Sequence, residues 1–194
     1  VENGSGDDSA ARLARAFAGD PAVTLLEEDL NRGFGGGCNR GFAHLLERHP
    51  GVGRVLLVNP DAVPEEGCLA ALRTTADKYP EAGIVGGRVL DAKGKKVQYE
   101  NGRLRPWTLS GLHGPAPPGD GDHETAFVTG ALMLLDAGLL RRGLRFDEDY
   151  FLYMEDLDLC CRVRDLGRTL RVSRRAAARH VGGAALAEAK DPFL

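Results

Sequence analysis

Two groups of carboxylates in this 194-residue chain have the types and spacing to do chemistry. The first is Asp61, which follows Pro60 directly after the apolar run 54–59. A carboxylate that ends a buried strand can hold Mg²⁺ or Mn²⁺ together with phosphate oxygens. A plain turn begun by Pro60 and Asp61 is the alternative. If Asp61 does bind a cation, His180 offers a further ligand, although a single histidine is more often structural.

The second group lies at the start of a predicted helix over 155–166 and consists of Glu155, Asp156 and Asp158. Acidic residues in a first turn complement the helix dipole, which is the ordinary explanation. The aromatic segment 150–153 precedes them, and apolar surroundings raise the pKa of a carboxyl group, which suits a general base. Helical spacing places Glu155 and Asp158 on one face and Asp156 on another. One carboxylate can therefore face a substrate while another binds within the protein.

A glycine-rich segment, 31–39 (NRGFGGGCN), is predicted to be a loop that leads into a helix over 38–48. It is not a dinucleotide fingerprint, because Arg40 stands where the third glycine belongs, and it lacks the lysine of a Walker A loop. Bare backbone at a helix start can approach a ligand closely, with the Asn31 and Asn39 amides beside it. A flexible loop that binds nothing is the alternative.

The elements that would position these groups alternate regularly between helix and strand in the first 90 residues. The pattern predicts helices over 10–18, 38–48 and 64–79 and strands over 23–26, 54–59 and from 84 onward. Such alternation implies parallel strands joined by helices. The glycine- and proline-rich stretch 91–124 is predicted to be a long loop with short strands near 97–99. A strand over 125–135, a helix over 137–141, the acidic helix and a strand over 169–172 follow.

Composition limits the possible functions. A hydrophobic content of 43% in this length predicts one domain with a core, and a net charge of −3 argues against a nucleic-acid partner. Four cysteines without zinc spacing predict a reduced, cytoplasmic protein (Cys38, Cys68, Cys160 and Cys161). No segment predicts a transmembrane helix. The arginines of 141–179 are expected mostly on solvated faces, with a subset meeting pyrophosphate or the inner face of a membrane.

Five segments, in order along nearly the whole chain, resemble motifs of family 2 of the glycosyltransferases, particularly its bacterial rhamnosyltransferase-like branch. Residues 1–5 (VENGS) resemble V-D-N-G-S, and 31–41 (NRGFGGGCNRG) resemble N-x-G-F-(G/A)-G-G-N-N-x-G. Residues 57–61 (LVNPD) resemble a degenerate D-x-D strand end, and 127–131 (FVTGA) an acceptor-side G-A segment. Residues 146–162 (FDEDYFLYMEDLDLCCR) resemble F-D-E-x-F-F-x-Y-x-E-D-x-D-L-x-x-R.

The resemblance implies an α/β GT-A fold, Rossmann-like, with a mostly parallel sheet and helices on both faces. Val1 stands where a strand would end, so we expect the first strand and helix of that fold to be missing from this chain. The single domain 1–194 would divide into a nucleotide-sugar-binding half, 1–90, and an acceptor-side half, 91–194. The implied reaction is inverting transfer of a sugar, with rhamnose suggested by the branch, from a nucleoside diphosphate. The acceptor would be a hydroxyl of a glycan, a lipid-linked saccharide or a small molecule.

The resemblance also assigns roles to single residues. Asp156 would be the catalytic base, with Glu155 beside it, and Asp61 and His180 would hold Mg²⁺ or Mn²⁺. The donor would contact Glu2, Asn3, Asn31, Gly35, Gly36, Asn39 and Asp61, and the acceptor side would include Thr129, Gly130 and Asp158. Glu2, Cys38 and Asn59 depart from the motifs, and Asn59 weakens the expectation of metal binding. A sugar nucleotidyltransferase and a non-catalytic sugar-nucleotide-binding module are the alternatives.

Overall fold

The computed structural model describes residues 1–105, 111–119 and 121–181. Its helices are α1 (Ser9–Ala16), α2 (Gly33–Arg48), α3 (Cys68–Lys78), α4 (Ala137–Arg141) and α5 (Glu155–Asp165). Its strands are β1 (Arg54–Val58), β2 (Ala62–Pro64), β3 (Ala82–Asp91), β4 (Val97–Tyr99), β5 (Asn101–Leu104), β6 (Gly111–Gly114), β7 (His123–Glu124), β8 (Leu132–Asp136) and β9 (Thr169–His180).

One mixed sheet forms the centre of the fold. Its strand order is β1-β8-β3-β9-β2, with β4 added to β3 and β7 added to β9, while β5 and β6 form a separate hairpin. β3 and β9 pair in parallel. β8 enters antiparallel between β1 and β3, because the chain returns through the sheet after the 91–124 stretch. The α/β GT-A class is confirmed. The resemblance implied a mostly parallel sheet, whereas β3 and β9 are the only parallel pair among the described strands of this sheet and its other pairings are antiparallel.

Hydrophobic side chains cover both faces of the sheet, as alternation along the strands requires. Met133 and Leu135 join the larger cluster, where residues of α2, α4 and α5 pack. Leu132 and Leu134 point the other way and pack with Cys68, Leu72 and Ala76 of α3. The predicted placement of helices on both faces is confirmed by these two clusters.

Several element boundaries differ from the prediction. The 23–26 segment is not a strand, and nearby only a bridge joins Glu2 to Glu27. α2 begins at Gly33, so most of the predicted glycine loop is helix. α3 begins at Cys68, because Ala62–Pro64 pairs with β9 as β2. β9 extends to His180 because it pairs with β3 along almost its whole length.

The predicted strand over 125–135 begins only at Leu132. The backbone before it bonds elsewhere: Thr125 N–H donates to the Leu170 carbonyl at 3.0 Å, and Ala126 N–H donates to the Gly102 carbonyl at 3.0 Å. α4 has the predicted bounds, and β1 and β4 lie where they were expected.

Candidate active site

The glycines that begin α2 allow two protein segments to approach the helix closely. Gly33 has φ +71°, and a Cβ added to it would lie 2.3 Å from the Phe151 carbonyl oxygen. A Cβ added to Gly35 would lie 2.9 Å from Cβ of Phe146. The glycine-rich stretch is therefore packed against the 146–151 segment, and its predicted structure as a ligand-approaching loop is wrong. Contact of Gly35 and Gly36 with a donor stays a prediction.

Hydrogen bonds of Asn3 and Asn31 join the amino-terminal turn to the start of α2. Asn3 Nδ2 donates to the Gly33 carbonyl at 2.8 Å and to Asn31 Oδ1 at 3.1 Å. Asn31 Oδ1 also accepts from Gly33 N–H at 2.9 Å. A Cβ on Gly37 would lie 3.2 Å from Cγ of Asn3, so this glycine permits the contact. The structure brings the two predicted donor asparagines together.

Glu2 is buried and shapes the same turn. It accepts hydrogen bonds from the hydroxyl of Ser5 and, at 2.9 Å, from Ser5 N–H. These bonds, led by the hydroxyl, hold the pKa of Glu2 below its ordinary value. Its backbone N–H donates to the Leu26 carbonyl at 2.7 Å, which joins the turn to the 26–28 segment. The predicted contact of Glu2 with a donor remains a prediction.

Asn39 joins α2 to the turn that precedes the acidic helix. Its Oδ1 accepts from Phe146 N–H at 2.9 Å, and its Nδ2 donates to the Phe146 carbonyl at 2.9 Å and to Glu148 Oε1 at 2.9 Å. A cavity of about 360 Å³ lies beside it, lined by Glu28, Arg32, Gly36, Asn39, Arg40 and Glu148. The predicted donor residues Gly36 and Asn39 share this cavity with Glu148, which sequence reasoning did not single out.

Asp156 is held against the backbone of the 127–131 segment. Its Oδ2 accepts from Gly130 N–H at 2.9 Å, and its Oδ1 accepts from Leu157 N–H at 2.8 Å. Burial raises the pKa of Asp156, and the two N–H groups oppose that rise by stabilising the carboxylate. A Cβ on Gly130 would lie 3.0 Å from the Phe34 ring and 3.7 Å from Asp156 Cβ. Glycine at 130 therefore lets Asp156 and α2 approach the same point, next to Thr129.

The other two carboxylates of α5 have different surroundings. Glu155 is 6% exposed, and its Oε2 is buried without a hydrogen-bond partner in the part of the chain that the structure describes. Burial raises the pKa of Glu155. Asp158 Oδ2 accepts from Arg162 Nε at 2.8 Å, one turn along the helix. Asp158 thus has a partner on its own helix, and its acceptor-side role stays a prediction.

The residues just before α5 form an exposed aromatic segment with an unusual backbone. Tyr153 and Met154 have φ of 69° and 73°, the left-handed region that residues other than glycine rarely occupy. Phe151 and Tyr153 expose 57% and 53% of their surface. The carbonyl of Phe151 accepts from Phe34 N–H at 3.1 Å, which fixes the segment to α2. Backbone strain of this kind concentrates at functional sites.

Asp61 and His180 lie in direct contact. The pairing of β2 with β9 aligns Ala62 with His180, and His180 Nε2 lies 3.0 Å from Asp61 Oδ1. No group of three or more His, Cys, Asp or Glu side chains among the described residues could hold a metal ion. Mg²⁺ and Mn²⁺ often take few protein ligands and complete their shell with phosphate and water oxygens. One carboxylate and one imidazole therefore fit a cation that is held mainly by a diphosphate.

Two hydrogen bonds connect the Asp61 end of β1 with the acidic helix. Asn59 N–H donates to the Ala131 carbonyl at 3.2 Å, and Gly130, the next residue, donates to Asp156. The antiparallel register of β1 and β8 aligns Val58 with Leu132, so the end of β1 adjoins this segment. Both predicted groups of carboxylates thus lie toward one edge of the sheet. The Asn59 Oδ1 atom at that edge is buried without a partner among the described residues.

Sequence reasoning missed the aromatic residues that support the 127–131 segment. The buried Tyr99 hydroxyl donates to the Phe127 carbonyl at 2.6 Å, and burial raises the pKa of Tyr99. The His113 ring lies 5.3 Å from that of Tyr99 and 5.7 Å from that of Phe127. His113 Nδ1 lies 3.0 Å from the Gln98 carbonyl, which can only accept, so this nitrogen carries the proton. No local pattern marks these contacts, because they join residues 14 to 28 positions apart.

Comparison with known proteins agrees with the motifs. The profile of the family described as "Glycosyltransferase like family 2" matches residues 3–191. The chain belongs to this family. It is 29% identical over 190 residues to N-acetylglucosaminyl-diphospho-decaprenol L-rhamnosyltransferase from two strains of Mycobacterium tuberculosis, CDC 1551 / Oshkosh and ATCC 25618 / H37Rv. That match covers 86% of this chain and 60% of each relative, so the chain spans less than two thirds of their length.

Solved structures share the fold. A crystal structure of GalNAc-T7 with UDP, GalNAc and Mn²⁺ superposes with a TM-score of 0.70 at 10% identity, over 89% of this chain and 35% of that one. A structure of A197 from STIV gives a TM-score of 0.53 at 11% identity, over 82% of this chain and 73% of that one. The predicted family and GT-A fold are confirmed. Within the described residues, no helix combines the length and the apolar character needed to cross a bilayer.

Proposed function

We propose that this chain is the nucleotide-sugar-binding and catalytic part of an inverting glycosyltransferase, with Asp156 as the general base. The observation that carries the proposal is the setting of Asp156. Its carboxylate is oriented by Gly130 N–H at 2.9 Å, and burial raises its pKa. It stands at the sheet edge toward which the Asp61–His180 pair also lies.

In the proposed reaction, the acceptor hydroxyl gives its proton to the carboxylate of Asp156. The acceptor oxygen forms a bond to the anomeric carbon of the donor sugar from the face opposite the diphosphate. The bond between that carbon and the diphosphate oxygen breaks, and its electron pair leaves with the nucleoside diphosphate. One displacement inverts the anomeric configuration, and no sugar–enzyme bond is needed.

Asp61 and His180 are the residues that would hold a divalent cation, Mg²⁺ or Mn²⁺. When bound, such a cation would stabilise the negative charge of the departing diphosphate. His180 Nε2 lies 3.0 Å from Asp61 Oδ1, and this contact supports a shared role, because two ligand atoms this close together can bind one cation. The GalNAc-T7 structure, which has a similar fold, contains Mn²⁺, and this supports the proposed use of a divalent cation.

We further propose rhamnose as the sugar and a lipid-linked, diphosphate-bearing saccharide as the acceptor. The support is the name of the mycobacterial relatives, N-acetylglucosaminyl-diphospho-decaprenol L-rhamnosyltransferase, at 29% identity. The donor half would use the turn of Glu2 and Asn3 and the cavity beside Asn39. The acceptor would lie over Gly130 and the exposed aromatic segment before α5.

The test is a panel of nucleoside-diphosphate sugars assayed for release of nucleoside diphosphate, with and without saccharide acceptors. Acceptor-dependent release, abolished by EDTA and restored by Mn²⁺ or Mg²⁺, is the expected result. Release of free pyrophosphate would indicate a nucleotidyltransferase instead. Calorimetric binding of a donor without turnover on any acceptor would indicate a non-catalytic sugar-nucleotide-binding module.

A further inference from the structure

One end of the sheet carries a row of four aligned residues, in which Leu90 and the ion-paired Arg179 stand between two exposed valines. The register aligns Val97 of β4 with Leu90 of β3, Leu90 with Arg179 of β9, and Arg179 with Val63 of β2. Val97 is 49% exposed and Val63 is 56% exposed. Val181, directly after β9, is 62% exposed. These valines lie at the carboxyl end of β3 and β9.

A lysine-rich turn joins β3 to β4 at the same end. Lys93, Lys95 and Lys96 are three of the five lysines in the chain. The turn has a fixed backbone, because Asp91 Oδ1 accepts from Lys95 N–H at 2.7 Å and from Lys96 N–H at 3.2 Å. None of the three ammonium groups forms an ion pair within the described residues. Three positive charges thus stand against the one negative charge of Asp91.

Several arginines of the 141–179 stretch form contacts within the fold, and the expected contact of a subset with a membrane stays a prediction. Arg168 pairs with Asp136 at 2.9 Å, and Arg171 pairs with Glu81 at 3.2 Å. Other arginines of the 141–179 stretch donate to backbone carbonyls or to acids of their own helix (Arg141, Arg145, Arg162 and Arg174). Four arginines of this stretch are thus paired with acids (Arg162, Arg168, Arg171 and Arg179), whereas the three turn lysines form no ion pair within the described residues.

We infer that this basic and apolar end of the sheet, formed by Lys93, Lys95, Lys96, Val63, Val97 and Val181, docks on an anionic lipid bilayer. Lysines attract the phosphates of anionic headgroups, and exposed valines suit the boundary between headgroups and acyl chains. Charge complementarity selects this partner, because a neutral surface offers nothing to three unpaired ammonium groups. A nucleic acid fits less well, since the chain carries a net charge of −3 and none of the six described residues that form this surface is aromatic, so they offer no ring for a base to stack on.

Docking in this orientation has a geometric consequence for the proposed reaction. His180 pairs in register with Asp91, and Asp61 lies 3.0 Å from His180. The lysine turn begins at Asp91, and Val181 of the docking surface directly follows His180 in the chain. The Asp61–His180 pair therefore lies beside the surface that would meet the bilayer. The docking itself does not depend on glycosyl transfer, so its test stands apart from the assay of the reaction.

The experiment is co-sedimentation of the full chain with vesicles of phosphatidylcholine containing phosphatidylglycerol, and with vesicles of phosphatidylcholine alone. The test variant replaces the three turn lysines (Lys93→Ala, Lys95→Ala and Lys96→Ala). Each basic residue near an anionic surface is worth about fivefold in partitioning, so we expect a loss of roughly 100-fold. Binding by the wild type should also weaken steeply as salt rises, because the Debye length shortens to about 3 Å at 1 M.

A matched control removes three exposed arginines elsewhere (Arg12→Ala, Arg15→Ala and Arg48→Ala), which changes the net charge by the same amount. This control should bind like the wild type, and circular dichroism should show that both variants fold. A second variant, Val63→Ser with Val97→Ser, should weaken binding without changing its salt dependence. The inference would be overturned if the wild type did not bind anionic vesicles, or if the lysine variant bound them like the wild type. It would also be overturned if the arginine control lost as much vesicle binding as the lysine variant.

Discussion

Replacing Asp156 with Asn separates the proposed proton transfer from the packing of the site. In the wild type, Oδ2 and Oδ1 of Asp156 each accept one backbone N–H, from Gly130 and Leu157. An amide keeps the shape but has one oxygen, so one of these N–H groups loses its acceptor. A hydrogen bond to a charged group is worth about 1.5–3 kcal/mol. Removing a buried charge offsets part of that loss, since burial raises the pKa of Asp156.

The expected change in stability is therefore small, and the expected change in turnover is large. A net loss of about 1 kcal/mol lowers the melting temperature of a chain of this size by roughly 2–4 °C. General base catalysis contributes about 100-fold to 10,000-fold, so kcat should fall by that factor while the donor dissociation constant stays nearly constant. Nucleoside-diphosphate release measures the first quantity, and calorimetry with the donor measures the second.

Asp165→Asn is the matched control, because Asp165 is the last residue of the same helix and is exposed at the end far from Gly130. Substitution of an exposed residue away from the site changes stability by about 0.5 kcal/mol or less, so kcat should stay within about a factor of two. The assignment of the base would be refuted if Asp156→Asn turned over like wild type. It would also be refuted if both variants lost activity equally.

Three further predictions follow from burial and close packing. Because burial raises the pKa of Asp156, kcat should fall as pH falls through a pKa above the ordinary aspartate value of about 3.9. A pH profile of kcat whose acidic midpoint lay at or below that value would contradict the burial argument. Burial raises the pKa of Glu155, so its contribution to stability is lost as pH rises through that pKa and the buried carboxyl ionises. Glu155→Gln should therefore raise the melting temperature more at pH 8 than at pH 4, which thermal unfolding at the two pH values measures. Gly33→Ala should cost at least about 2 kcal/mol, because the position has positive φ and an added Cβ would meet a carbonyl oxygen. Gly51→Ala, where nothing lies within 4 Å, is its control, and urea unfolding that showed equal losses would refute the packing account.

Sequence patterns predicted the elements that local signals define. The strand predicted over 54–59 is observed over 54–58, and the short α4 has its predicted bounds, because burial and helix spacing are visible over a few residues. The segments around Gly33 and Leu132 were not predicted correctly. Glycine at 33–37 ordinarily indicates a loop, but here contacts with residues more than a hundred positions later keep the segment helical. The start of β8 depends on bonds to Leu170 and Gly102, which no local pattern contains.

The candidate site divides in the same way. Motif residues Asp61, His180 and Asp156 were predicted, and the structure brings them toward one edge of the sheet. The supporting rings of Tyr99 and His113 were not, because their partners are separated in sequence and carry no motif. Residue type and order indicate which groups react, whereas the contacts that orient them arise from tertiary packing.

The close fit of α2 against the 146–151 segment has an evolutionary consequence. A Cβ at position 35 would lie 2.9 Å from the Cβ of Phe146, so the volumes of these two residues are not independent. A lineage that acquired a side chain at 35 would have to lose the Cβ at 146, which only glycine lacks, or shift the segment that leads to Asp156. Substitutions near the start of α2 are thus constrained by a segment more than a hundred positions later, and residues 35 and 146 are expected to covary.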